Sequence, residues 1–129
     1  MILVDSTVII AFLRTRDARL FAIFQAHQAS VTGVVRAEIL SGVHNTIERN
    51  QTVISLDLFL QTDIPYALWD RIGNHRQMLV SKGVNVPFND IVLATLAIHC
   101  DVEIWSRDRH FPMMRNVLPS LRLFQEPTP

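Results

Sequence analysis

Ile2, Leu3 and Val4 form an apolar run that ends at Asp5, Ser6 and Thr7. A strand apolar on both faces belongs inside a parallel sheet covered by helices. Its carboxyl end is then where polar chemistry begins. Val8 to Leu13 reads as a short helix, and beyond the polar Arg14–Asp17 stretch Leu20, Phe21, Ile23 and Phe24 recur at helical spacing. Ser30–Thr32 predicts a second strand. Val35, Ile39 and Leu40 predict a helix that Gly42 either ends or allows to pack closely. Thr46 to about Leu58 predicts another helix, and the strand signal at Phe59–Thr62 is weak.

Pro65 suits a helix first turn, and Ala67, Leu68, Ile72, Met78, Leu79 and Val80 continue a helical pattern to Lys82-Gly83, with Gly73 a tolerated blemish and Tyr66 and Trp69 expected to pack. Pro87-Phe88-Asn89-Asp90 opens a helix that is apolar almost all round from Ile91 to Ile98, and such a helix must be buried. Val102, Ile104 and Trp105 predict a strand ending at Ser106-Arg107-Asp108, and Leu121–Phe124 a final one. Short strands alternating with helices predict an α/β domain: three layers, α/β/α, around a mostly parallel sheet of about four or five short strands. No internal repeat or linker divides residues 1–129, and the expectation is one domain.

Composition narrows the function. Apolar residues make up 49% and charged residues 19%, as in ordinary globular chains. Twelve Lys and Arg balance twelve Asp and Glu, so any polyanion must be held by local charge or by metal rather than by a global field. Cys100 has no partner for an internal disulfide. With no basic leader before Asp5 and no apolar stretch near the ~18 residues of a membrane span, the chain is expected to be cytoplasmic.

In open parallel sheets ligands bind at the carboxyl ends of strands, and Asp5 and Asp108 both stand at such ends, each beside a hydroxyl residue: Ser6 and Thr7, or Ser106. Asp90 lies in the first turn of the apolar helix, and Glu38 on the helix after the second strand. Taken singly, Asp5 could simply cap a helix, worth about 1 kcal/mol, and Asp90 could complement a helix dipole, worth ~0.3–1 kcal/mol. Four acids at otherwise apolar positions are harder to explain one by one, because converging carboxylates raise each other's pKa unless a cation holds them. Oxygen ligands suit Mg²⁺, with Mn²⁺ an alternative, and such ions take substrate phosphate into their coordination shell. The five histidines, His27, His44, His75, His99 and His110, show no metal-ligand spacing and are read as structural, as is Cys100. Phe111 is expected to anchor the loop after Asp108.

These segments, in this order, resemble the PIN-domain nucleases: Ile2–Thr7, Val35–Gly42, Asn89-Asp90 with Ile91, Ala94 and Ala97, and Ser106–Phe111. The Glu38-Ile39-Leu40-Ser41-Gly42 segment looks like the VapC-type toxins of bacterial toxin–antitoxin pairs. The resemblance implies that Asp5, Glu38, Asp90 and Asp108 form an acidic quartet, with Asp5, Asp90 and Asp108 holding the metal. Ser106 stands where threonine is more usual and preserves the hydroxyl. It also implies a metal-dependent endoribonuclease, in which a metal-activated water attacks phosphorus and leaves a 5′-phosphate and a 3′-hydroxyl. Substrate contacts are expected from Ser6, Thr7, Ser106, Arg14, Arg16, Arg107 and Arg109. A VapB-like antitoxin would lie in an apolar groove among Phe12, Leu13, Phe21, Phe24, Val43 and Ile47 and direct a basic residue at the acids. Homodimerisation is a further implication of the resemblance.

Two other readings compete. A haloacid-dehalogenase-like phosphatase would use Asp5 as a covalent nucleophile, but it normally places a second aspartate two residues on, where this chain has Thr7. A catalytically inactive RNA- or antitoxin-binding module would not require four acids.

Overall fold

The computed structural model describes residues 1–128. Among them β1 (Ile2–Val4), β2 (Ala29–Val31), β3 (Leu60–Gln61) and β4 (Glu103–Trp105) form an all-parallel sheet in the order β3-β2-β1-β4. Seven α-helices accompany it: α1 (Ser6–Thr15), α2 (Ala18–Ala26), α3 (Gly33–Ser41), α4 (Thr46–Leu56), α5 (Trp69–Ser81), α6 (Phe88–Cys100) and α7 (His110–Arg115). Helix α1 packs on α3 and α3 on α4; α5 packs on α6, which lies against β4. The result is the expected three-layer α/β/α arrangement.

Four of the helix starts have a local cause. Asp5, Asp17, Thr32 and Asn45 accept backbone N–H bonds at the first turns of α1, α2, α3 and α4, satisfying donors that have no partner inside the helix. Gly42 ends α3 rather than allowing close packing, since a Cβ there would make only ordinary contact with the Ile39 carbonyl oxygen, at 3.6 Å. Along α6, Ile91 to Ala97 are all buried, as its all-round apolar pattern requires. β1 is buried throughout, and its neighbours supply Val31, Ile104 and Trp105 to the same core.

Three expectations need correction. Leu121–Phe124 is not a strand: it makes one parallel bridge, Leu123 with Ile104, while Arg122 turns to the Asp101 carboxylate and Leu121 drops into the core. Neither Tyr66 nor Trp69 is buried: Tyr66 is 90% exposed on a 3-10 turn (Tyr66–Leu68) that precedes α5, and Trp69, the first residue of α5, is 40% exposed. The short α7, which Pro112 in its first turn accommodates, was not anticipated. Phe111 is a buried anchor, as expected.

The sheet order sets where a ligand can bind. The chain leaves β1 toward β2 and β3 on one side and returns to β4 on the other, so a crevice opens between the carboxyl ends of β1 and β4. Val4 pairs with Trp105, which brings Asp5 next to Ser106.

Candidate active site

Asp5 sits at that crevice, with only 3% of its surface exposed. Its Oδ1 accepts bonds from the Thr7 N–H (3.0 Å), the Thr7 hydroxyl (2.6 Å) and the Val8 N–H (3.4 Å). Its Oδ2 accepts from the Ser106 hydroxyl at 2.5 Å, across from β1 to the end of β4. The same two hydroxyls fix the following loop: Ser106 Oγ accepts from the Asp108 N–H at 2.9 Å, and Thr7 Oγ1 from the Arg107 N–H at 3.0 Å. Thr7 and Ser106 are therefore structural members of the centre. Burial pushes the Asp5 carboxyl above the usual carboxylate range, with the bonds from Ser106, Thr7 and Val8 pulling the other way.

Asp90 enters from the first turn of α6 and Asp108 from the loop after β4. Both meet His110, whose Nδ1 lies 2.8 Å from Asp90 Oδ2 and 3.0 Å from Asp108 Oδ1. The His110 backbone N–H also donates to Asp108 Oδ1, at 2.9 Å. Burial raises the Asp90 pKa; His110 lowers it, and the negative charges of Asp108 and Asp5 raise it again. The charges of Asp108 and Asp5 are thus close enough to disfavour ionisation of Asp90.

The donor chemistry fits a divalent ion. Asp90, Asp108 and His110 offer ligand atoms that all lie within 4.8 Å of one another, and the charge of Asp5 is close enough to act on Asp90. Two carboxylates and an imidazole, all partly exposed, would complete a six-coordinate shell with water or phosphate oxygens. His110, expected to be structural, lies with its ring between Asp90 and Asp108. The signal available in the sequence was Asp108-Arg109-His110, a carboxylate and an imidazole on alternate residues at a strand end. His75, by contrast, is structural: its Nδ1 bonds the fully buried Thr95 hydroxyl at 2.7 Å.

The other expected residues lie at different distances from this centre. Glu38 is exposed on α3 and lines a groove of ≈530 Å³ with Arg14, Arg16, Glu48 and Gln51. Among the described residues, no hydrogen bond joins it to the three aspartates. Arg16 is braced by the Ser55 hydroxyl (3.0 Å) and the Phe12 ring, while Arg14 is exposed on the same groove. Arg107 is engaged by both carboxylate oxygens of Glu126, at 2.7 and 3.2 Å, and Arg109 is exposed. Ser6 opens α1 and is half-buried. Of the apolar groove residues, Phe12 and Phe24 belong to the core, whereas Phe21 and Ile47 are exposed.

The family model of the PIN domain matches residues 2–116, nearly the whole chain. The chain belongs to the PIN domain family. No curated protein matches it. Its PIN fold is shared with solved structures of low sequence identity. VapBC2 from Rickettsia felis bound to a DNA fragment from its promoter aligns at a TM-score of 0.81 and 16% identity, covering 96% of this chain and 98% of that one. DNA-bound VapBC from Salmonella typhimurium gives 0.78 and 13%, covering 95% and 96%. VapBC-5 from Mycobacterium tuberculosis gives 0.70 and 19%, covering 96% and 97%. Among the described residues, no helix is long and apolar enough to cross a membrane.

Proposed function

We propose that this PIN domain is a divalent-metal-dependent endoribonuclease, the toxin of a VapBC-like pair. The observation that carries the reading is the meeting of Asp5, Asp90 and Asp108 from three separate elements at the β1/β4 crevice, beside a histidine. Carboxylates so placed are tolerated when a cation holds them, and phosphodiester chemistry is what such a cation serves. When bound, Mg²⁺ or Mn²⁺ supplies Lewis acidity, making a water nucleophilic at neutral pH and offsetting charge that builds on the phosphate.

The chain's own residues do the rest. Asp90 and Asp108 hold the ion. Asp5, pinned by Thr7 and Ser106, presents a fixed negative charge that cannot turn away. Glu38, Arg14 and Arg16 line the adjoining groove, where the arginines meet RNA phosphates and Glu38 completes the acidic quartet on the substrate side. Ser6, at the start of α1, and the exposed Arg109 are further candidate contacts to RNA. Arg107 is the weakest substrate candidate, because Glu126 already takes its guanidinium. The phosphatase reading loses ground for a similar reason: both Asp5 oxygens are occupied by hydrogen bonds, a poor arrangement for a nucleophile.

The partner side of the proposal rests on the VapBC complexes that share this fold. A VapB-like antitoxin covers the exposed apolar positions Phe21 and Ile47 and points a basic residue at the aspartates, and the toxin pairs with a second copy. Gel-resolved cleavage of total RNA tests the activity. Wild type cleaves with Mg²⁺ or Mn²⁺ and not with EDTA, and Asp5→Asn and Asp90→Asn, folded by circular dichroism, are inactive. Cleavage at the wild-type rate by either variant would overturn the assignment.

A further inference from the structure

We infer that His110 is a nitrogen ligand of the divalent ion, sharing it with Asp90 and Asp108, and that it tilts the centre toward Mn²⁺ and later first-row ions over Mg²⁺. This inference rests on the metal-dependent reading above and assigns one more residue to that centre. Geometry is the first support. In an octahedron with bonds of about 2.1 Å, adjacent donors lie about 3.0 Å apart and opposite donors about 4.2 Å apart. Nδ1 lies 2.8 Å from Asp90 Oδ2 and 3.0 Å from Asp108 Oδ1. Each distance matches an octahedral edge, and the full set stays within 4.8 Å, which admits either an edge or a diagonal between the two oxygens.

Pre-organisation is the second support. His110 opens α7, Phe111 beside it is buried, and the His110 N–H is tied to Asp108 Oδ1. The Asp108 N–H is in turn tied to Ser106. The ring is therefore placed by the same short loop that places Asp108, and little side-chain freedom is lost when an ion arrives. In one tautomer Nδ1 donates toward the two carboxylates, and in the other its lone pair is free for an ion.

The chemical consequence follows from donor type. An all-oxygen set serves Mg²⁺ well, whereas an imidazole strengthens binding to transition ions along the Mn²⁺ to Cu²⁺ series and adds little for Mg²⁺. A rival role is available for the same atom: Nδ1–H could remain a hydrogen-bond donor that holds the carboxylates while the ion uses their other oxygens. The two roles differ in one spectroscopic property, whether the imidazole nitrogen is bonded to the metal.

The test loads the full, metal-stripped chain with Mn²⁺ and records pulsed electron paramagnetic resonance. Directly coordinated ¹⁴N should modulate the wild-type echo, and that modulation should vanish in His110→Gln. Titration calorimetry should show the variant losing about tenfold or more in Mn²⁺ affinity, with Mg²⁺ affinity changing far less. Mn²⁺ that binds wild type, is lost in Asp90→Asn and yet shows no ¹⁴N coupling overturns the role of His110 and leaves the metal centre standing. Mn²⁺ binding that is indifferent to Asp90→Asn overturns the metal centre itself. The wild-type spectrum decides the ligand question even if His110→Gln fails to fold.

Discussion

Removing one hydroxyl, in Ser106→Ala, strips from Asp5 Oδ2 its only hydrogen-bond donor among the described residues and from the Asp108 N–H its acceptor. A hydrogen bond to a charged group contributes ~1.5–3 kcal/mol and a neutral one about 1 kcal/mol. Asp5 is 3% exposed, so water replaces its lost partner poorly. Ser106 is half-buried, so some water reaches the Asp108 N–H. A net cost of about 3 kcal/mol near neutral pH follows, which for a chain of this size lowers Tm by roughly 10 °C. The cost depends on pH in a definite direction. The Ser106 bond favours ionised Asp5, so its loss raises a folded-state pKa that burial has already raised. The Asp5 part of the deficit is full above the variant's folded pKa and disappears as pH falls below the wild-type one. The Asp108 N–H part persists at every pH. Melts of wild type, Ser106→Ala and Ser106→Thr from about pH 7.5 down to about pH 4 make the comparison. Ser106→Thr keeps the hydroxyl and should stay close to wild type. An alanine variant that melts within about 2 °C of wild type near pH 7.5, or whose deficit does not shrink on acidification, would refute the reasoning.

The remaining predictions concern the acids, the core and one helix. Metal-free wild type should gain stability on mild acidification: the folded pKa values of Asp5 and Asp90 are raised, so stability falls as pH rises from the ordinary carboxylate range through those values, and the penalty is full at neutral pH. Asp90→Asn should therefore match or exceed wild type in EDTA, despite losing a dipole contribution below about 1 kcal/mol. Mn²⁺ at ten times its dissociation constant should raise wild type by about 1.4 kcal/mol and the variant less; a wild-type melt that ignores Mn²⁺ contradicts this. Gly73→Ala should stabilise by ~0.5–1 kcal/mol, because a Cβ there meets nothing within 4 Å in the middle of α5; urea midpoints check it. Leu121→Ala should cost about 2–5 kcal/mol, because Leu121 is fully buried although it lies beyond the matched residues 2–116.

The parts of the fold legible in the sequence were those where one physical demand dominated. β1 and α6 are apolar on every face, and only a buried strand and a buried helix satisfy that. β3 was faint because it has two residues, both exposed, held by pairing to β2 rather than by any pattern of its own. Leu121–Phe124 misled because its apolar residues serve different neighbours: Leu121 fills the core, Phe124 packs on Trp105 and His27, and only Leu123 bridges to the sheet. The aspartates were legible because strand ends and a helix first turn mark them. His110 was not, because its relation to Asp90 is made across space, between α6 and the loop after β4. Glu38 shows the opposite limit: its place in a sequence motif says nothing about its distance from Asp5.

The joining of β1 to β4 governs how the molecule can come into being. Asp5 and the Ser106 hydroxyl that satisfies its outer oxygen stand 101 residues apart along the chain, so Asp5 is synthesised long before that partner. Until β4 is made, β1 has a strand partner on one side only, in β2. Such long-range closure makes folding slow and late, so a growing or truncated chain carries Asp5 without a centre to belong to. The fold thereby ties assembly of the acidic site to the synthesis of β4 and the loop after it, and a fragment that stops before residue 103 should expose an unpaired β1 edge prone to aggregation.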